Sequence, residues 1–414
     1  MLTCVPLSRS TSKMDMQLPH NTTSPHLFSK TLVLILAMSA SSAFAGVEEQ
    51  ANRIHTRLTG VSPSATVLEN MVSLLEAGNG DDAAKLAMEN DAFYRVTLKD
   101  WVTPWTNRDF DVHQPLNDYT ATIMGVVRDD LDFRSILFDD IIYTAAASAN
   151  VPNYSISNND HYAALEQSAL NLKDTLTRQT QSSVTNLPIE ATSGVITSRA
   201  ASKAFFIAGT NRAMFRYTFI NHMCTDLDAL KDTSIATNRI RQDVSRSPGG
   251  DSRIFMNSCS GCHSGMDPMA QAYAYYNFEY DRDNDLTGEN GQLSYQANTV
   301  QGKYHINSET FKFGFITESD KWDNYWRQGL NRRLGWDEQL SGSGNGAKSL
   351  GKEIAYSEQF ASCQVSKVFE KVCLRKIQNQ QDATTLATIT DTFKSSGYKL
   401  KTVFAATANY CKGD

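Results

Sequence analysis

A Cys-x-x-Cys-His pentapeptide at residues 259–263 is the feature that most limits what this chain can fold into. Two thiols at this spacing, with a histidine directly after the second, form the signature of covalent c-type haem attachment. Cys259 and Cys262 lie about one helical turn apart, so each sulfur can form a thioether with a vinyl group on one porphyrin edge. The imidazole of His263 is then directed at the iron. A redox dithiol, half of a zinc site and a disulfide pair also fit this pattern, and export of the chain would favour haem.

The first 45 residues have the three parts of a secretory leader. A mildly basic segment ends at Lys30, an apolar run covers 32–38, and an Ala-x-Ala cleavage site ends at Ala45. The apolar run is far shorter than the roughly 20 residues that a bilayer span needs. We therefore predict an exported bacterial protein, periplasmic or extracellular, with no membrane span after cleavage.

The charge balance excludes some partners. The chain has 39 Lys and Arg residues against 45 Asp and Glu residues, and removing the leader makes the balance more acidic. An acidic protein is poorly suited to nucleic acid or to anionic membrane surfaces. It suits a basic redox partner protein.

Four cysteines lie between the leader and the C-terminus but outside the pentapeptide: Cys224, Cys363, Cys373 and Cys411. An even number of cysteines in an exported protein predicts disulfides, here two. Cys363 and Cys373 are expected to share one helix, where their separation of about 15 Å is too large for a bond. Two pairings remain, of which we prefer Cys373 with Cys411 and Cys224 with Cys363. Buried free thiols are the alternative.

Helical periodicity dominates the chain after the leader. Ser62-Pro63-Ser64, for example, precedes an apolar stripe through Val67 and Met71 that stops at Gly78. Glycine and alternating Tyr, Phe and Val residues over 286–316 predict one small β-hairpin. The predicted fold class is mainly α, a multi-helix exported protein with a c-type haem segment.

Composition divides the chain into five parts. The part at 151–197 is rich in Ser, Asn, Thr and Gln, whereas the parts around it are more apolar. The predicted parts are a signal peptide at 1–45, an N-terminal helical module at 46–150, a polar excursion at 151–197, a haem-attachment module at 198–316 and a C-terminal helical module at 317–414.

The pentapeptide is followed by Asp267-Pro268 and by Tyr-Tyr-Asn-Phe at 275–278. This arrangement resembles the planctomycete-type cytochrome c families, whose haem segment is fused to helical domains of unknown function. The chain departs from their pattern at Met269-Ala270, where those families have glycine. The resemblance implies an exported haem-binding protein but no substrate. Looser similarity to the other modules of those families extends over Arg57–Ser64, Thr210–Cys224, Phe360–Phe369 and Ser396–Tyr398.

The iron ligands follow from the positions of histidine and methionine. His263 is the predicted proximal ligand. The chain has no methionine after Met269, so the methionine that small cytochromes c place well downstream is absent. Met266 and Met269 are too close to His263 to reach the distal face, and we expect both to pack in the core. His305 is the only downstream histidine and the candidate distal ligand, with a surface histidine in a strand as the alternative. An open sixth position is the further alternative, in which His305 or His222 would serve as a distal acid–base group instead of a ligand.

Asp281, Asp283 and Asp285 alternate along an acidic segment, a spacing at which oxygen ligands can surround Ca²⁺. The segment lacks the central glycine and the final glutamate of an EF-hand loop. We weigh a calcium site there against an acidic turn exposed to solvent and favour the turn.

Three functions fit these residues. The preferred one is electron transfer by a protein with a single covalent haem. The second is a haem enzyme of peroxidase or oxygenase type with an open sixth position, and the third is a non-enzymatic scaffold with a structural haem. No catalytic constellation stands out in the sequence, so we expect an electron-transfer protein rather than an enzyme.

Overall fold

A computed structural model describes residues 46–413 of the chain. Helices hold 57% of the residues and strands 7%, which confirms a mainly α protein. The predicted signal peptide lies outside the described residues. Among residues 46–413, no helix combines the length and the apolar character that a bilayer span requires.

The N-terminal third begins with a group of helices whose boundaries follow local signals. The side chain of Ser64 accepts a hydrogen bond from the Val67 backbone N–H and caps the second helix, as its Ser-Pro-Ser start predicts. A π-helical turn, Phe93–Leu98, leads into the fourth helix. The helices are α1 (Val47–Thr59), α2 (Ala65–Glu76), α3 (Gly80–Ala87), α4 (Lys99–Val102) and α5 (Asp118–Arg128).

The middle of the chain alternates short helices with loops. A second π-helical turn, Phe255–Cys259, runs directly into the helix that holds the rest of the pentapeptide. The helices are α6 (Asp160–Gln167), α7 (Leu172–Thr175), α8 (Gln181–Val184), α9 (Arg199–Phe205), α10 (Arg212–Met223), α11 (Ser252–Ile254) and α12 (Ser260–Ala270).

Three antiparallel strand pairs lie between the helices. The hairpin that the sequence predicts over 286–316 begins earlier, because its first strand is the aromatic segment 276–279, which follows α12 after a short 3₁₀ turn. The other two pairs join segments far apart in sequence and were not predicted. The pairs are β1 (Ile142–Ala145) with β2 (Leu176–Gln179), β3 (Tyr276–Glu279) with β4 (Gln292–Tyr295), and β5 (Lys321–Asp323) with β6 (Ser343–Asn345).

The C-terminal helices pack back onto the beginning of the chain, with α16 lying against α3. One apolar core extends from Ala51 to Ala408 and includes residues from every part of the described chain. The helices are α13 (Gly346–Ala355), α14 (Glu358–Cys373), α15 (Gln380–Ser395) and α16 (Leu400–Tyr410).

Two disulfides tie these helices together, in the pairing that the sequence analysis prefers. Cys224, at the end of α10, is bonded to Cys363 in α14. Cys373, the last residue of α14, is bonded to Cys411 directly after α16. The bonds hold α14 in its second turn and at its last residue, and the first of them anchors the C-terminal helices to α10.

Candidate functional site

The pentapeptide lies at the start of α12, where helical geometry brings its side chains together. Residues at i and i+3 occupy neighbouring positions on a helix surface, so Cys259 and Cys262 share one side of the turn. Cys259 is buried at 1% exposure, whereas Cys262 is partly exposed. Neither belongs to one of the two disulfides. The thiol of Cys262 donates a hydrogen bond to the carbonyl of Leu227 at 3.5 Å.

The imidazole of His263 is held by a carboxylate one turn further along the helix. Its Nδ1 lies 3.2 Å from both carboxylate oxygens of Asp267, which is fully buried. An Nδ1–H that donates to this carboxylate leaves Nε2 as the nitrogen able to bind a metal. Histidine ligands of metal sites commonly have such a carboxylate partner, which fixes the ring and raises its basicity.

Asp267 is kept ionised by arginine. Nε and Nη2 of Arg212, the first residue of α10, donate to its two oxygens at 2.7 and 2.9 Å. The backbone N–H of Arg241 donates to Oδ2 at 3.2 Å. Burial alone would raise the pKa of Asp267, but the positive charges of Arg212 and Arg241 and the hydrogen bond from His263 overcome it and hold that pKa well below its usual value.

Arg212 joins two carboxylates. Besides its bonds to Asp267, Arg212 donates to both oxygens of Asp243. Its Nη1 donates to Oδ2, and its Nη2 donates to Oδ1 at 2.9 Å. Burial opposes the charge of Arg212, but the two carboxylates outweigh it and raise its pKa. The loop at 239–246 is thereby attached to α10 and α12 through one guanidinium group.

A second arginine of this loop is buried without comparable partners. Arg241 is 1% exposed, and Nε, Nη1 and Nη2 have no hydrogen-bond partner among the described residues. Its guanidinium carbon lies 4.6 Å from the ring centre of Tyr304, and its Nε lies 3.7 Å from an oxygen of Asp243. Burial and the charge of Arg212 lower the pKa of Arg241.

Apolar and aromatic side chains surround the beginning of the pentapeptide. Cys259 packs in a small cluster with Ile240, Val244 and Phe255. The guanidinium of Arg246 covers the rings of both Phe255 and Phe311. Apolar side chains also face solvent in this part of the chain, among them Met256 at 57%, Phe313 at 80% and Leu330 at 67% exposure.

The predicted distal histidine lies at the edge of this region. His305 ends a 3₁₀ turn, Gly302–His305, and is exposed. The preceding residue, Tyr304, packs on Arg241 and donates a hydrogen bond to the carbonyl of Ala270 at the end of α12. The role of His305 as sixth ligand stays a prediction.

The alternative distal residue, His222, is in a different environment. It is fully buried in α10, and its Nε2 lies 2.8 Å from the hydroxyl of Tyr119. Burial and the nearby charge of Lys367 place the pKa of His222 well below its usual value. The imidazole is therefore neutral and part of the core. Met266 and Met269 are also buried in the core, as expected for packing residues.

The acidic segment at 281–285 forms a turn stabilised by its own carboxylates. Asp281 accepts hydrogen bonds from the backbone of Asp283 and Asn284, and Asp285 accepts from the backbone of Glu289 and Asn290. Within 46–413, no group of three or more His, Cys, Asp or Glu side chains is arranged to hold a metal ion. A haem iron that takes one imidazole from the protein does not depend on such a group.

Sequence reasoning missed most of the charged cluster around Asp267. Asp267 was noted as part of an Asp-Pro pair, and Arg212 as part of the segment Thr210–Cys224, but neither was given a role. Asp243 and Arg241 gave no signal, because the contacts that join them to α12 are made only in the folded chain.

No protein-family model, no curated protein and no solved structure matches this chain. The resemblance to planctomycete-type cytochromes therefore rests on the residues alone.

Proposed function

We propose that the chain is an exported electron-transfer protein with one covalent haem, attached through Cys259 and Cys262 and bound at the iron by Nε2 of His263. The observation that supports it best is the contact between His263 Nδ1 and the buried Asp267 carboxylate. A histidine in a haem-attachment motif needs its Nδ1 engaged and its Nε2 directed away from the helix, and this contact meets the first condition.

The other residues of the site also fit a haem. The sulfur of Cys262 is partly accessible, and the buried Cys259 lies among apolar side chains that suit a porphyrin face. When bound, the haem would supply a one-electron redox couple. Asp267 would orient the proximal imidazole, and Arg212 would keep Asp267 ionised.

Export is part of this proposal. Two disulfides suit an oxidising compartment, and haem attachment of this type also takes place outside the cytoplasm. Covalent attachment keeps a haem bound in an open compartment. The acidic balance of the chain suits a basic partner protein for electron exchange.

A haem enzyme with an open sixth position is the second candidate, and one observation favours it. A carboxylate partner makes the proximal imidazole a stronger donor, which stabilises ferric iron and suits an iron that reacts with small ligands. The ferric spectrum with and without cyanide separates the two candidates. Fast cyanide binding indicates an open site, and an unchanged spectrum indicates a six-coordinate electron carrier.

The attachment is tested by producing the full chain in a bacterium that has the haem-attachment machinery. We expect the wild type to keep its haem through denaturing electrophoresis and Cys262→Ala to lose it. Cys411→Ala removes a cysteine outside the motif, the disulfide partner of Cys373, and should keep the haem, measured per amount of chain. Haem staining equal in Cys262→Ala and in the wild type would rule out this attachment.

A further inference from the structure

We propose that Arg241 binds a carboxylate group beside the proximal histidine, with two sources: a propionate of the haem or a free small carboxylate. The first source rests on the proposed function, and the second does not. Arg241 would anchor the carboxylate through its guanidinium N–H groups, which the described residues leave without hydrogen bonds.

The first argument is the state of the Arg241 side chain. A buried charge is normally paired and hydrogen-bonded, because water no longer solvates it. Arg241 is 1% exposed, its three side-chain nitrogens have no hydrogen-bond partner in residues 46–413, and its nearest carboxylate contact is 3.7 Å long. Its donors are therefore positioned for an acceptor that the described residues do not supply.

The second argument is that the neighbouring carboxylates are already engaged. Both oxygens of Asp243 accept from Arg212, and both oxygens of Asp267 accept from Arg212 as well. Arg246 adds a further positive charge and donates to the carbonyls of Val244 and Ile240. Three guanidinium groups thus face two carboxylates, and this surplus of positive charge favours one more anion.

The third argument is the shape of the site. Tyr304 covers one face of the Arg241 guanidinium, and its own hydroxyl is fixed by the carbonyl of Ala270. A guanidinium stacked on a ring keeps its N–H groups in the plane, where they match the two oxygens of a carboxylate. This geometry favours a carboxylate over a single-point acceptor.

The position of Arg241 explains why a propionate is one source. Its backbone N–H donates to the same Asp267 oxygen that contacts Nδ1 of His263, so one carboxylate joins Arg241 to the proposed proximal histidine. The thioethers to Cys259 and Cys262 use the vinyl side of a porphyrin. The two propionates leave its opposite side and need positively charged partners within the protein.

The test uses the full chain in two forms. The haem-loaded form is made in a host with the attachment machinery, and the haem-free form is exported from a host without it. Arg241→Lys keeps the charge but loses the planar pair of donors, and Arg253→Gln, an exposed arginine, is the control. If a propionate is the source, resonance Raman of the loaded form shows the propionate bending band shifted in Arg241→Lys and unchanged in Arg253→Gln.

A free carboxylate is tested by thermal melts of the haem-free form with added succinate. If it is the source, succinate raises the melting temperature of the wild type and of Arg253→Gln but not that of Arg241→Lys. An unshifted Raman band together with no specific response to succinate overturns the proposal. If Arg241→Lys does not fold, a crystal structure of the loaded wild type decides: a carboxylate oxygen within about 3.2 Å of the guanidinium supports it, and none refutes it.

The proposed function and this inference fail separately. A wild type that never acquires covalent haem contradicts the proposed function, while the succinate melts still decide whether Arg241 binds a carboxylate. A loaded wild type whose propionate band is unaffected by Arg241→Lys keeps the proposed function and removes the propionate source.

Discussion

Replacing Asp267 with asparagine tests the charged cluster that supports His263. The carboxylate is fully buried, accepts two hydrogen bonds from Arg212 and one from the Arg241 backbone, and contacts His263. Asparagine has the same shape but only one acceptor oxygen, and its NH₂ group would face another donor. The substitution therefore leaves buried positive charge without its main partner.

The size of the effect follows from these contacts. Removing one partner of a buried ion pair costs about 3–5 kcal/mol. Arg212 keeps its paired contacts with Asp243, so we expect the lower end, about 3 kcal/mol. With an unfolding entropy of about 2.1 cal/mol/K per residue, this corresponds to a melting temperature about 4 °C lower for a chain of this size.

This loss of stability is measured by thermal melts of the wild type, of Asp267→Asn and of a surface control. The control is Asp251→Asn, because Asp251 forms the same kind of ion pair with Arg253 at the surface, where such pairs contribute little. Equal melting temperatures for the wild type and Asp267→Asn would refute the reasoning, as would an equal loss in the control. In the haem-loaded form, Asp267→Asn should also raise the midpoint potential, since the imidazole loses its anionic partner. A merely structural role would leave the potential unchanged.

Three further predictions concern packing, the disulfides and the sixth ligand. Gly265→Ala would place a methyl group 2.0 Å from the indole nitrogen of the buried Trp326 and should lower the stability of the fold by about 1–3 kcal/mol in thermal melts. The methyl group of Gly302→Ala meets open space, so this control should leave the stability unchanged. Equal effects of the two substitutions would contradict this packing. Opening the Cys373–Cys411 bond, which closes a segment of 38 residues, should lower the free energy of urea unfolding by about 4 kcal/mol, and the single serine variants should match the double one. In the loaded form, His305→Ala should convert a low-spin spectrum to high spin, and an unchanged Soret and α-band pattern would exclude His305 as ligand.

Local features of the fold could be predicted from the sequence because local signals determine them. The Ser64 cap of α2 and the shared helix of Cys363 and Cys373 follow from cap residues and apolar periodicity. The distance along one helix excludes a bond between Cys363 and Cys373. Two disulfide pairings then remained, and the observed one is the pairing we preferred.

The strand pairs were harder to predict, because they depend on contacts distant in sequence. The segment 276–279 has the aromatic content of a strand, but its position shortly after α12 gave no turn signal that would mark it as the first strand of a hairpin. β1 pairs with β2 across the two intervening helices α6 and α7, and neither strand has more than four residues. Strands this short are specified mainly by the core on which they pack.

The candidate site likewise contains residues that local spacing points to and residues that only the folded chain brings together. The spacing of the pentapeptide predicts Cys259, Cys262 and His263 as haem-binding residues, since that chemistry depends on local helical geometry. The charged cluster combines Arg212 from α10, Asp243 and Arg241 from a loop, and Asp267 from α12. Only tertiary structure brings these groups together, so spacing in the sequence could not reveal that Arg241 is buried without hydrogen-bond partners.

The most direct test of the central proposal is mass spectrometry of the wild-type chain purified from a host that attaches haem. We expect the mass of one haem on the intact chain and, after proteolysis, on the peptide that contains residues 259–263. A folded chain with both disulfides formed and no haem on that peptide would contradict the proposal.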